Sequence, residues 1–143
     1  MRQKIKNTSM ITRFFLYGIA GWVIEILWTA AASLKRGDKR MIGYTSLWMM
    51  PIYGSAVMFE PLYSIIYVLP VFIRGLIYMT CIFAAEFLSG FALEEIIGSC
   101  PWDYSSARYN VCGLIRLDYA PCWFAVGLLF EFGYKNLMLG GIL

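Results

Sequence analysis

The chain has 143 residues, 60% of them hydrophobic and only 15% charged, with a formal net charge of +3 and no histidine. Soluble domains carry about a quarter charged residues, so this composition points to a membrane protein, and the length fits one multi-pass domain over 1–143 whose core is helix against helix in lipid. The short, membrane-flanking basic clusters argue against a nucleic-acid partner, and the lack of histidine removes the usual zinc, haem and Ser-His arrangements, so no metal or cofactor is expected.

A spanning helix needs about 20 mainly apolar residues. Four segments answer to that, 11–34, 44–60, 71–97 and 117–138, and together they predict an all-α fold: an integral membrane bundle of about four transmembrane helices with an ordered loop between helices three and four. The first run is too long for a signal-peptide core of about 7 to 15 residues and reads as a span. On it Gly18, Gly21, Glu25, Thr29 and Ala32 share one face, a small and polar stripe that should turn toward protein. Lys35-Arg36-Gly37-Asp38 ends the run, and Lys35, Arg36, Lys39 and Arg40 suit lipid phosphates.

The second segment opens after Gly43, carries Pro51 and Gly54 and meets Glu60-Pro61, so it is short, about 25 Å, and interrupted. An interrupted span reads either as a pointer to a binding site or as a kink made for packing. The stretch 61–70, bounded by prolines and carrying tyrosines, reads as an interfacial connector.

The third segment repeats the polar theme with Glu86, Ser89, Gly90 and Leu93, then closes on Glu94-Glu95 before Gly98. Arg74 precedes Glu86 by about 18 Å of helix and faces elsewhere, so the two do not pair. It is expected to snorkel toward Glu60 or a headgroup.

The connection that follows is long, and its Trp102, Tyr104 and Tyr109 argue for order. In Cys100-Pro101-Trp102-Asp103-Tyr104-Ser105, Pro101 stops the helix, the two rings suit the membrane interface, and Asp103 caps backbone amides or binds a cation. Asp118 repeats this chemistry where the fourth segment begins, so Trp102, Asp103, Tyr104 and Asp118 are placed at one loop mouth. Cys100 and Cys112 lie in the same loop, either as free thiols or as a pair in an oxidising space.

The fourth segment carries Gly127, Glu131 and Tyr134. Glu25, Glu86 and Glu131 each have a glycine one turn away, in GWVIE, EFLSG and GLLFE. The three carboxyls are expected to converge on one interior, with Tyr53 of the interrupted span, as an ion, solute or proton site; each alone also reads as a hydrogen-bonded interhelical contact. There is no P-loop, HExxH or GxSxG, so no catalytic residue is assigned and no enzyme is expected. Two further readings stand beside a transporter-like or channel-like protein. One is a structural or regulatory membrane subunit, and the other is a lipid-active enzyme using Asp103 and Asp118. Oligomerisation, with itself or with another membrane subunit, follows from how little space four helices enclose. Basic residues divide six against six between the two sides, which leaves the orientation open and admits an antiparallel dimer.

The blocks FLYGIAGWVIE (15–25), GYTSLWMMPIYG (43–54), RGLIYMTCIFAAEFLSGF (74–91), CPWDYS (100–105) and GLIRLDYAPCWFAVGLLFE (113–131) carry a resemblance that runs through most of the chain. In them the sequence resembles the bacterial family named Putative ABC-transporter type IV, or CmpB-like, and is similar to vertebrate transmembrane protein 229. The resemblance implies a four-helix integral membrane protein of the cell membrane. An ABC role would further imply a separate ATPase partner, since the chain has no nucleotide-binding motif.

Overall fold

The computed structural model describes residues 8–139. They form two compact units, Thr8–Phe59 and a second that begins at Glu60.

The N-terminal unit is one long helix with a broken segment folded along it. Helix α1 (Met10–Lys35) begins where the Ser9 hydroxyl accepts the Thr12 amide at 3.1 Å, the usual serine N-cap. Its polar stripe does face protein. Helix α2 (Met49–Gly54) crosses it so closely that a Cβ on Gly18 would lie 2.8 Å from the Met50 carbonyl oxygen, and one on Gly21 would lie 2.2 Å from Tyr53 Cγ. The exchange is reciprocal, because the Phe14 ring of α1 sits on Gly54 of α2. Small residues permit this approach, and dispersion between ring and backbone holds it.

The expected second span does not form as one helix. Its first residues are non-helical, α2 follows, and a 3₁₀ turn over Ser55–Phe59 ends the unit. Side chains of α1 take up the backbone groups that a helix would have paired internally. Trp22 Nε1 donates to the Ser46 carbonyl at 3.0 Å, and the Thr29 hydroxyl accepts the Tyr44 amide at 2.8 Å.

In the C-terminal unit, helix α3 (Glu60–Ile66) occupies much of the expected connector 61–70; Pro61 falls in its first turn, where a missing amide costs nothing. Helix α4 (Val71–Ile97) ends at Gly98, whose φ of +74° and amide bond to the Glu94 carbonyl at 3.0 Å make the expected glycine cap. Strands β1 (Asn110–Val111) and β2 (Ile115–Arg116) pair antiparallel. Three residues, Cys112 to Leu114, join them; Cys112 and Gly113 have φ 55° and 70°, the positive pair of a type I′ turn, closed by the Leu114 amide on the Val111 carbonyl at 3.0 Å. A 3₁₀ turn (Leu117–Tyr119) leads into α5 (Ala120–Leu139). Helices α4 and α5 repeat the ring-on-glycine exchange: Phe124 of α5 covers Gly75, and Tyr78 of α4 covers Gly127.

Helices α1 and α4 are long and apolar enough to cross a membrane, and only 11% and 17% of their most apolar stretches are buried. Such exposure fits lipid and does not fit the core helix of a soluble protein. Helix α5 falls short of the same measure because Glu131, Lys135 and Asn136 interrupt it.

Candidate functional site: the membrane carboxylates

The three glutamates do not share one set of partners. In the N-terminal unit the half-buried Glu25 carboxylate accepts the Thr45 hydroxyl at 2.8 Å. Thr45 lies in the non-helical stretch that Trp22 and Thr29 pin to α1, and a Cβ on Gly43 would fall 2.2 Å from the Ile26 carbonyl oxygen. The acid is therefore held beside irregular backbone, which in membrane proteins is tolerated where protein covers it or where it lines a cavity. Tyr53 contributes its ring to the Gly21 crossing one turn away.

In the C-terminal unit, Glu86 of α4 is half-buried and takes two neutral donors, Tyr104 Oη at 3.1 Å and Trp123 Nε1 at 3.2 Å. Rings continue outward from it. Tyr104 meets Tyr119 edge to face at 5.9 Å, and Tyr119 meets Trp123 at 6.1 Å. Trp102 covers Gly90, one turn along α4 on the same face, and its indole donates to the Leu114 carbonyl at 2.8 Å.

Glu131 has an opposite environment. It is 4% exposed and receives Arg74 in a two-pronged contact at 2.9 and 3.1 Å, the Tyr78 hydroxyl at 3.1 Å and the Lys135 ammonium at 3.1 Å. Arg74 also donates to the carbonyls of Tyr67 and Leu69. Its expected place beside Glu60 or a headgroup is thus corrected: a forked guanidinium matches a carboxylate, and the α4–α5 pairing brings one to it. Within this unit Glu86 and Glu131 do not converge. Trp123, which holds Glu86, precedes Glu131 by eight positions, roughly 12 Å along α5 at 1.5 Å per residue.

The loop residues divide in the same manner. Asp103 caps, accepting the Ser105 amide at 2.8 Å; the Ser105 hydroxyl bond first, and this amide bond second, hold its carboxyl below the usual carboxylate range. Asp118 pairs with Arg116, with Nε 2.9 Å from Oδ1, and is lowered by that guanidinium. The tyrosines that follow them in sequence, Tyr104 and Tyr119, make the contact between the two stretches. Arg116 also lies over the Tyr119 ring at 4.3 Å.

Thr45, Tyr78, Tyr119, Trp123 and Lys135 escaped the sequence reading. Two of them carried a usable signal, since Tyr78 is four residues after Arg74 and Lys135 four after Glu131. Among the described residues no His, Cys, Asp and Glu gather as a metal site, and all four cysteines are free thiols, Cys112 exposed at the hairpin turn. A shallow apolar groove along α4, lined by Ile73, Leu76, Ile77, Thr80 and Cys81, holds none of the three acids.

No solved structure matches the chain. Residues 12–141, nearly the whole length, match the family described as Putative ABC-transporter type IV, and the protein belongs to that family.

Proposed function

We propose that the chain is a multi-pass, non-catalytic protein of the cell membrane that binds and passes an ion or small solute, working as a homo-oligomer or beside another membrane subunit. One observation carries this reading. Of the three glutamates inside the apolar runs, Glu131 is neutralised by Arg74 and Lys135, whereas among the described residues Glu25 and Glu86 are held by hydroxyl and indole donors alone. A charge kept in hydrocarbon without a fixed counter-charge costs about 2.5 kcal/mol or more and persists where a proton or cation visits it. Each compact unit offers one such acid, and Glu25 adds the broken segment common at transport sites.

The test is flux through proteoliposomes for protons, monovalent cations and small organic solutes. Wild type is expected to carry at least one of them, and Glu25→Gln and Glu86→Gln to lower that flux toward empty vesicles with helical content unchanged. Flux that is absent throughout, or unaltered in both variants, overturns the proposal. The family name supports a second reading, since a chain without a P-loop needs a separate ATPase to act in an ABC system. A stoichiometric ATPase in gentle detergent pull-downs would favour it.

A further inference from the structure

The geometry points to the Glu86 site as a receptor for an organic ammonium group, either the headgroup of a choline lipid or a free alkylammonium. This deepens the transport reading by naming the class of ligand, and it rests on that reading only for its physiological purpose.

The ligand type follows from what surrounds the carboxylate. Trp102, Tyr104, Tyr119 and Trp123 place four rings around or one turn from Glu86, contributed by the loop and by the α5 side of the unit. The nearby cation, Arg116, is committed to Asp118 and to the Tyr119 face, and that pair adds no net charge. Among the described residues no cation pairs with the Glu86 carboxylate, so its charge, when ionised, is left for a ligand.

A bare metal ion fits poorly. Magnesium and calcium ask for about six or more oxygen ligands, but one donor to Glu86 is an indole N–H, which cannot ligate, and α4 runs unbroken there, so its carbonyls are engaged within the helix. The Glu86 carbonyl additionally accepts the Ser89 hydroxyl at 3.1 Å. Methylated or alkylated ammonium has the opposite needs. It pairs with a carboxylate and packs its carbon groups on aromatic faces without requiring an oxygen shell.

Position agrees with chemistry. Trp123 lies three residues into α5, so Glu86 sits about 5 Å below the 3₁₀ turn and the ordered loop. A ligand therefore reaches the carboxylate from the ordered loop, whose tryptophan and tyrosine rings suit lipid headgroups, and not along α4, whose end at Ile97 is roughly 17 Å away.

The experiment uses the full chain in nanodiscs of phosphatidylglycerol alone. Tetramethylammonium chloride is titrated against sodium chloride at matched ionic strength, with intrinsic tryptophan emission as the readout and Trp123→Phe to locate the signal. A saturable response to tetramethylammonium and none to sodium is expected, with its loss in Glu86→Gln. Should Glu86→Gln fail to fold, Tyr119→Leu serves, since it removes a ring and leaves both donors to Glu86; it should weaken the response. Repeating the titration in phosphatidylcholine discs identifies the source. A response suppressed there assigns the site to the lipid headgroup, and one that survives assigns it to a free amine. No saturable response, an equal response to sodium, or an unchanged response in the folded variants overturns the inference. Because the readout is binding, cation flux without ammonium binding leaves the proposed function standing and sinks only this inference, whereas ammonium binding without any flux does the reverse.

Discussion

Gly127→Ala tests the packing on which both C-terminal acids depend. A methyl at Gly127 would lie 2.3 Å from Tyr78 Cβ and 3.5 Å from Tyr78 Cα, more than 1 Å inside ordinary contact with the nearer atom. Tyr78 Cβ is fixed to the α4 backbone and cannot swing aside, so α4 and α5 must separate. Tyr78 is 2% exposed and its hydroxyl is 3.1 Å from Glu131, so separation also stretches that bond. Overpacking of this type costs about 1–3 kcal/mol and a weakened hydrogen bond about 1 kcal/mol more. The gain in helix propensity from glycine to alanine, about 0.8–1 kcal/mol, offsets part of it. A net loss of about 1–3 kcal/mol is expected. Gly133→Ala is the matched control, because nothing lies within 4 Å of its Cβ and it should be neutral or gain up to about 1 kcal/mol. Reversible unfolding of both variants in mixed micelles by increasing sodium dodecyl sulfate, followed by circular dichroism, gives the comparison. A Gly127→Ala protein as stable as Gly133→Ala would refute the close α4–α5 crossing.

Removing Arg74 as Met leaves the buried Glu131 with Lys135 and the Tyr78 hydroxyl but without its forked partner and should cost about 3–5 kcal/mol in the same unfolding assay, while Glu86→Gln should stay near wild type and Glu86→Lys should fail to fold. Asp103 and Asp118 have carboxyls lowered by Ser105 and Arg116, so their contribution is in full force above the ordinary carboxylate value of about 4 and is lost as pH falls through the lowered folded values. The loop, reported by Trp102 emission, should therefore hold from neutral to about pH 4 and loosen only below it; loosening already at pH 6 would contradict the capping geometry. Cys112 should react first with a membrane-impermeant maleimide, and labelling from one side of sealed vesicles would end the antiparallel-dimer idea that the six-against-six division of basic residues raises.

Legibility in the sequence followed helical period and stopped at register. The α1 stripe was readable because small and polar residues recur on one face, and Gly18, Gly21, Glu25 and Thr29 all meet the broken segment. Gly98 and the Asp103 cap were readable from local chemistry alone. The Arg74–Glu131 pair was not, because the relative slide of α4 and α5 is set by ring-on-glycine contacts at Gly75 and Gly127 that no spacing reveals. The same slide separates Glu86 from Glu131 in depth. Gly43, Pro51 and Gly54 announced an interruption, but the non-helical run before α2 depends on Trp22 donating to, and Thr29 accepting from, the backbone of another segment.

The central claim is that Glu25 and Glu86 are open to a visiting cation or proton and that Glu131 is structural. A hydrophobic carbodiimide modifies membrane carboxyls that pass through the neutral form and spares one held ionised by cations. Treating the protein in lipid and mapping the adducts by peptide mass spectrometry is the most direct measurement. The account predicts modification at Glu25 and Glu86, suppressed by the cation or solute that the protein carries, and none at Glu131. Modification of Glu131 with Glu25 and Glu86 untouched would contradict it.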